Sequence, residues 1–227
     1  KIEKEISTIE NLDGTNKRLK EEKEKIKLQM LDYCKKMNML RRKNAELISD
    51  KINIKLNELE MSNAKLRVNV EQLGENRFNI NGFDKVEFMI CTNKGEEEKE
   101  LSKIASGGEM SRVMLTIKTV LADVDQVLTL VFDEIDTGIS GKAAKAVGEM
   151  LKQISNNHQV MVVTHSASIA AKGKYNYYIS KKTIDDKTYT EIKQLSESET
   201  IEEIARISSG DVTEISLAHA KELRRAS

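Results

Sequence analysis

An apolar side chain returns at every seventh position through the first sixty residues, and the 227-residue chain contains no proline. Leu12, Leu19, Ile26, Tyr33, Leu40, Leu47 and Ile54 form one clean seam. The companion seam, Ile9, Asn16, Lys23, Met30, Met37, Asn44 and Lys51, is partly polar. A heptad repeat of this kind specifies a coiled-coil helix, and polar seam positions favour one partner and register. Without proline nothing forces such a helix to stop. Asp13-Gly14-Thr15-Asn16 predicts a break, with Thr15 or Asn16 capping a new helix. From there to residue 60 the helix should run about 65 Å at ~1.5 Å per residue. One apolar stripe cannot hold a lone helix in water, so a second strand of the coil is required. Residues 1–60 are therefore expected as a coiled-coil segment and residues 61–227 as a packed domain.

Composition limits what that domain can be. Aromatics make up only 4% of the chain, so its core must be built from Leu, Ile, Val and Met. The formal net charge is zero, which gives no global argument for nucleic acid or membrane. Cys34 and Cys91 read as reduced thiols of a cytosolic protein. No apolar run approaches the ~20 residues of a spanning helix. The chain opens at Lys1 on residues that already look helical, and it reads as a piece of something longer.

Beyond residue 60 the pattern changes. Residues 65–70 and 86–91 read as strands joined through a turn near Asn81-Gly82. A helix should follow Gly107-Gly108. Strands are then expected at 127–132 and 159–164, with a helix at 141–154 between them and another through 169–172. Strands at 175–181 and 188–195 and helices near 199–207 and 213–225 complete the series. The apolar runs lack alternation, which predicts a mostly parallel sheet covered on both faces by helices.

Three segments carry chemistry. Leu128-Thr-Leu-Val-Phe-Asp133-Glu134 is a buried strand ending in two acids, where parallel sheets bind ligands. In phosphoryl transfer the first such acid serves Mg²⁺ and the second can position or deprotonate the attacking water. Ala105-Ser106-Gly107-Gly108-Glu109-Met110-Ser111-Arg112 opens a helix whose free N–H groups suit an anion. Met161-Val-Val-Thr164-His165 ends a second strand in histidine. Read singly, each is also compatible with an ordinary turn, cap or core residue. Their order and spacing are far more specific.

Together these segments resemble the signature, Walker B and switch-histidine elements of ABC ATPases. The stretches 101–112, 132–141 and 157–165, with Ile201-Glu-Glu-Ile-Ala-Arg206 and Ser216–Leu223, are similar to the RecN family of SMC-like DNA-repair proteins. Met110 and Lys94 depart from that family's usual Leu and Pro. The resemblance implies the C-terminal lobe of an ABC/SMC-type ATPase head, an α/β fold preceded by a long coiled-coil helix. It implies that Asp133 serves Mg²⁺, that Glu134 is the catalytic base, and that His165 contacts the γ-phosphate of ATP. Ser106, Gly107, Gly108 and Glu109 form the signature facing ATP on an opposite head, and Asp136, in the D-loop position, links the two sites. The implied partners are the N-terminal half of the same protein, a second head in a homodimer, DNA ends or single-stranded regions, and RecA. The implied place is cytoplasmic and nucleoid-associated, away from membranes.

A P-loop reading G-x-x-x-x-G-K-[ST] is absent from the sequence. Gly138-Ile-Ser-Gly141-Lys142-Ala143 is a decoy, with glycines too close and no hydroxyl after the lysine. The piece should therefore have little ATPase activity by itself. His158 and His219 read as structural or surface residues. Lys35-Lys36, Arg41-Arg42-Lys43, Lys181-Lys182 and Arg224-Arg225 read as solvated charge. An ABC transporter domain, or a structural coiled-coil protein on a decayed ATPase fold, are the competing readings.

Overall fold

The structure is a computed structural model that describes residues 2–74, 77, 79–93, 95–104, 107–184 and 187–226, with residues 2–13 and 184 described by backbone alone. The chain forms two compact units, Lys1–Ser49 with Arg67–Met89, and Asp50–Leu66 with Ile90–Ser227.

Helix α1 runs from Ile2 to Glu58 without interruption. The expected break at Asp13–Asn16 does not occur. A glycine inside a helix costs only about 1 kcal/mol, and no proline adds to that cost. In the first unit the predicted seam is bare: Leu19, Ile26, Tyr33, Leu40 and Leu47 are all about half exposed or more. A different stripe is covered. Cys34, Ala45 and Ser49 are buried, and Asn38 and Arg41 are partly so. These residues face strands β1 (Lys65–Gln72) and β2 (Asp84–Cys91). Asn38 and Arg41 both donate to the buried carboxylate of Asp84, at 2.6 and 2.9 Å. Ser49 Oγ accepts from Val68 N at 3.0 Å. Arg41 also reaches the Asn81 carbonyl at 2.7 Å, so it is a fastener of the turn and not solvated charge. The turn at Asn81-Gly82 falls where expected, with Gly82 at φ +94° under Cys34, Met37 and Arg41.

In the second unit the last turns of α1 join a core. Ile52, Leu56 and Leu59 are fully buried, and Asn53 pairs with both backbone groups of Leu66. The short strand β3 (Lys99–Glu100) follows β2 in the sheet order β1-β2-β3. Helix α2 (Gly107–Leu121), strand β4 (Thr129–Phe132), helix α3 (Gly141–Ile154) and strand β5 (Gln159–Val162) then build an α/β layer. Leu59, Leu115, Leu130, Phe132, Ile135, Val147, Leu151 and Ile154 form its core. Each such side chain contributes about 1.5–3 kcal/mol when fully buried. Helix α3 starts on Ser140, which caps Ala143 N, and buries positions 143, 144, 147, 148, 150, 151 and 154, the stripe of an amphipathic helix.

Strands β4 and β5 pair in parallel. Their burial alternates where cover on both faces was expected. Leu130 and Phe132 point into the core, while Val131, Met161 and Val163 are more than half exposed. The apolar run is present, but among the described residues helices pack on only one side of it.

The short helix α4 (Ala167–Ala170), the antiparallel pair β6 (Tyr177–Ile184) and β7 (Lys187–Gln194), and helices α5 (Glu197–Ser209) and α6 (Glu214–Arg225) complete the unit. Both last helices begin in capping boxes, Ser196 with Glu199 and Thr213 with Ser216. Small residues Ala171, Ala205 and Ala220 bring α4, α5 and α6 close around Ile204. Arg224 locks them: it binds Glu197 at 3.0 Å through two nitrogens and the Ala171 carbonyl at 2.9 Å through a third. Read from sequence as solvated charge, Arg224 is instead a clamp. Among the described residues no helix is long and apolar enough to cross a membrane.

Candidate functional site

Strands β4 and β5 end level with each other. Phe132 is in register with Val162, and Val163 N donates to the Phe132 carbonyl at 2.9 Å. The residues just past the two strands therefore emerge on one edge: Asp133-Glu134 from β4, Thr164-His165 from β5. Asp133 and Glu134 are exposed. Glu134 has φ +54°, one of two non-glycine residues described in the left-handed region. That conformation costs a residue with a side chain of order 1 kcal/mol and requires surroundings that impose it.

The start of α2 imposes it. Ser111 Oγ donates to the Asp133 carbonyl at 3.0 Å. Arg112 Nη1 donates to the carbonyls of Thr137 at 2.9 Å and Ile135 at 3.4 Å. A Cβ on Gly107 would stand 2.8 Å from Glu134 Oε2, and one on Gly108 would stand 2.9 Å from the Glu134 carbonyl oxygen. Gly108 is thus required by the close approach of the acid-loop backbone, whereas the exposed Glu134 carboxylate can swing away from a side chain at 107. Ser106 lies outside the described residues. Glu109 is exposed in the first turn of α2, where its carboxylate suits the helix's positive end. Burial pushes the Arg112 guanidinium below its ordinary value, and the nearby Glu109 charge opposes that shift.

Asp136 lies two residues after Glu134 and is buried. Its Oδ2 accepts from Thr164 Oγ1 at 2.5 Å and from His165 N at 2.8 Å. The His165 ring itself is open to solvent, with its side chain 78% exposed. His158, read as structural, is buried with Nδ1 on the Val127 carbonyl at 2.5 Å.

The structure thus brings Gly107, Gly108, Asp133, Glu134, Asp136 and His165 to the ends of α2, β4 and β5. Sequence pattern alone missed Ser111, Arg112 and Thr164, which hold those ends together. A hydroxyl directly before the strand-terminal histidine was the available signal for Thr164. Arg112 gave none, because it binds backbone carbonyls that carry no sequence mark. Among the described residues no three His, Cys, Asp or Glu side chains converge as a metal cage. Asp133 nonetheless suits Mg²⁺, which takes one or two carboxylates and fills its shell with water and substrate phosphates.

No protein-family model matches the chain. It is 36% identical over 225 residues to the DNA repair protein RecN of Halalkalibacterium halodurans, covering 98% of this chain and 40% of that protein. The RecN proteins of Bacillus subtilis and Treponema pallidum are each 37% identical over 237 and 231 residues, covering 98% and 100% of this chain and 41% and 40% of theirs. The similarity lies in the C-terminal part of those RecN proteins. This RecN-type chain spans about two fifths of the length of the curated relatives it matches. Its fold is that of an SMC head. The head domain of Pyrococcus furiosus Smc with an extended coiled coil, bound to the C-terminal domain of ScpA, superposes with TM-score 0.56 at 20% identity, over 88% of this chain and 47% of that one. The Smc head domain with a coiled coil and joint from Pyrococcus yayanosii gives TM-score 0.51 at 18% identity, over 75% of this chain and 30% of that one.

Proposed function

We propose that this RecN-type chain supplies half of a composite ATP site in an SMC-like ATPase acting in DNA double-strand-break repair and recombination. The observation that carries the reading is the meeting of the glycine turn of α2 with the two acids after β4, beside the histidine after β5. No phosphate-cradling G-x-x-x-x-G-K-[ST] accompanies them. In this reading Asp133 holds Mg²⁺ on bound ATP, largely through water. Glu134 accepts the proton of the attacking water. His165 contacts the γ-phosphate. Ser106, Gly107 and Gly108, with Glu109 beside them, bind the γ-phosphate of ATP held by a second head, Gly107 and Gly108 through the N–H groups that open α2. The N-terminal half of the same protein supplies the P-loop. Residues 1–60 belong to the coil and residues 61–227 to the head. DNA ends or single-stranded regions, and RecA, are the further partners, and the setting is the bacterial nucleoid in the cytoplasm.

The bare side of β4 and β5 supports incompleteness independently of any motif. Parallel strands are stable when both faces are covered, and here Val131, Met161 and Val163 are more than half exposed among the described residues. The chain alone should therefore hydrolyse ATP at a negligible rate.

The test uses the full-length protein. Glu134→Gln should lower ATP turnover at least about a hundredfold, within the range general-base catalysis supplies, while ATP still binds and the heads stay closed. Turnover is read by phosphate release and closure by light scattering. Wild-type turnover in the Gln variant would remove Glu134 from the chemistry.

A further inference from the structure

Asp136 is more deeply buried than either acid of the strand-terminal pair, with only 2% of its side chain exposed. One of its oxygens does all the bonding described. Oδ2 takes the Thr164 hydroxyl at 2.5 Å and the His165 amide at 2.8 Å, and lies 3.3 Å from His165 Nδ1. Oδ1 is buried with no hydrogen-bond partner. Thr164 Oγ1 passes the constraint on by accepting from Ser166 N at 3.0 Å, where α4 begins. Burying a carboxylate with one oxygen unpaired is costly. A fold retains such a group where it fixes something that packing cannot. Here that is a histidine whose ring projects into solvent and has no packed walls to orient it.

We propose that Asp136 is the positioning residue of His165. It fixes the backbone at the end of β5 and faces Nδ1–H, so that Nε2 is presented outward, where the imidazolium donates to an incoming phosphate. This rests on the ATPase reading above. It makes the carboxylate an intrachain link between the acid loop and the histidine, and it gives Thr164 a share in the same task. Misplacing a phosphate-contacting group by about 1 Å can cost on the order of a hundredfold in rate.

A double-mutant cycle in the full-length protein tests it. Asp136→Asn and His165→Ala should each lower kcat by about tenfold or more, with the KM for ATP moving less than about threefold. The double variant should fall within about twofold of His165→Ala, because groups acting through one another are not additive. A loss from Asp136→Asn that is equally large without His165, or absent in its presence, overturns the proposal. A second readout does not need activity. With ¹⁵N-labelled histidine, the neutral His165 ring, identified by its absence in His165→Ala, should hold the Nδ1–H tautomer in the parent and average between two in Asp136→Asn. An averaged ring in the parent overturns the proposal even if the protein hydrolyses ATP. A fixed ring in a protein that does not hydrolyse ATP removes only the ATPase reading.

Discussion

Arg112 shows how much of the site's shape rests on one side chain. It is buried, its Nε finds no partner, and its charge is met by backbone carbonyls of the loop after β4. Carbonyls in a buried turn need donors, and leaving them unpaired costs about 1–3 kcal/mol. Arg112→Met keeps most of the volume and removes both donors. Amide exchange across residues 134–138 of the full-length protein should then accelerate about thirtyfold, equivalent to about 2 kcal/mol of local stability. Arg112→Lys should restore part of the protection, since one nitrogen, Nη1, serves both carbonyls and an ammonium also donates to two acceptors. Unchanged exchange in Arg112→Met would mean that the glycines alone hold the loop.

Among the elements, the C-terminal helices depend on charge held at their ends. Lys193 and the capping position Ser196 both bind the Glu199 side chain, and together they hold its carboxyl at about 2. A carboxyl whose folded value is depressed adds stability above the ordinary carboxylate range. That stability fades as pH falls through the folded value, here between about 5 and about 2. The thermal midpoint of the parent should exceed that of Glu199→Gln at neutral pH, and the gap should close over that window. A gap independent of pH would leave the capping box without its ionic part. The elements also differ in how openly the sequence announced them. Helix α3 lies at 141–154, where the sequence put it, because its apolar spacing is a local signal. The covered stripe of α1 went unread because it is made of Cys34, Asn38, Arg41 and Ala45, ordinary helix-surface residues until β1 and β2 return to meet them. Gly14 suggested a stop, but an isolated glycine is a small penalty within 57 helical residues. At the site the motif residues were legible because their spacing is distinctive. The link from Asp136 to Thr164 joins residues 28 positions apart and leaves no local trace.

For the whole molecule, the uncovered side of β4 and β5 is the dominant fact. Apolar residues scattered over a surface are ordinary, but several together on adjoining strands mark a surface awaiting a partner. Isolated, the chain should bind an apolar dye and self-associate in sedimentation velocity. Adding the N-terminal half should suppress both. Val131→Lys should weaken that joining while leaving α3 and its core intact, since position 131 points away from the buried Leu130 and Phe132. A chain that sediments as a monomer and ignores the dye would contradict the incomplete-sheet account.

The same bare strands bear on quality control in the cell. Chaperones and proteases recognise exposed apolar strand surface as a sign of unfinished folding. On the proposed reading, a product made without the N-terminal half would display Val131, Met161 and Val163. It would be held or degraded before it could occupy a partner meant for the complete protein.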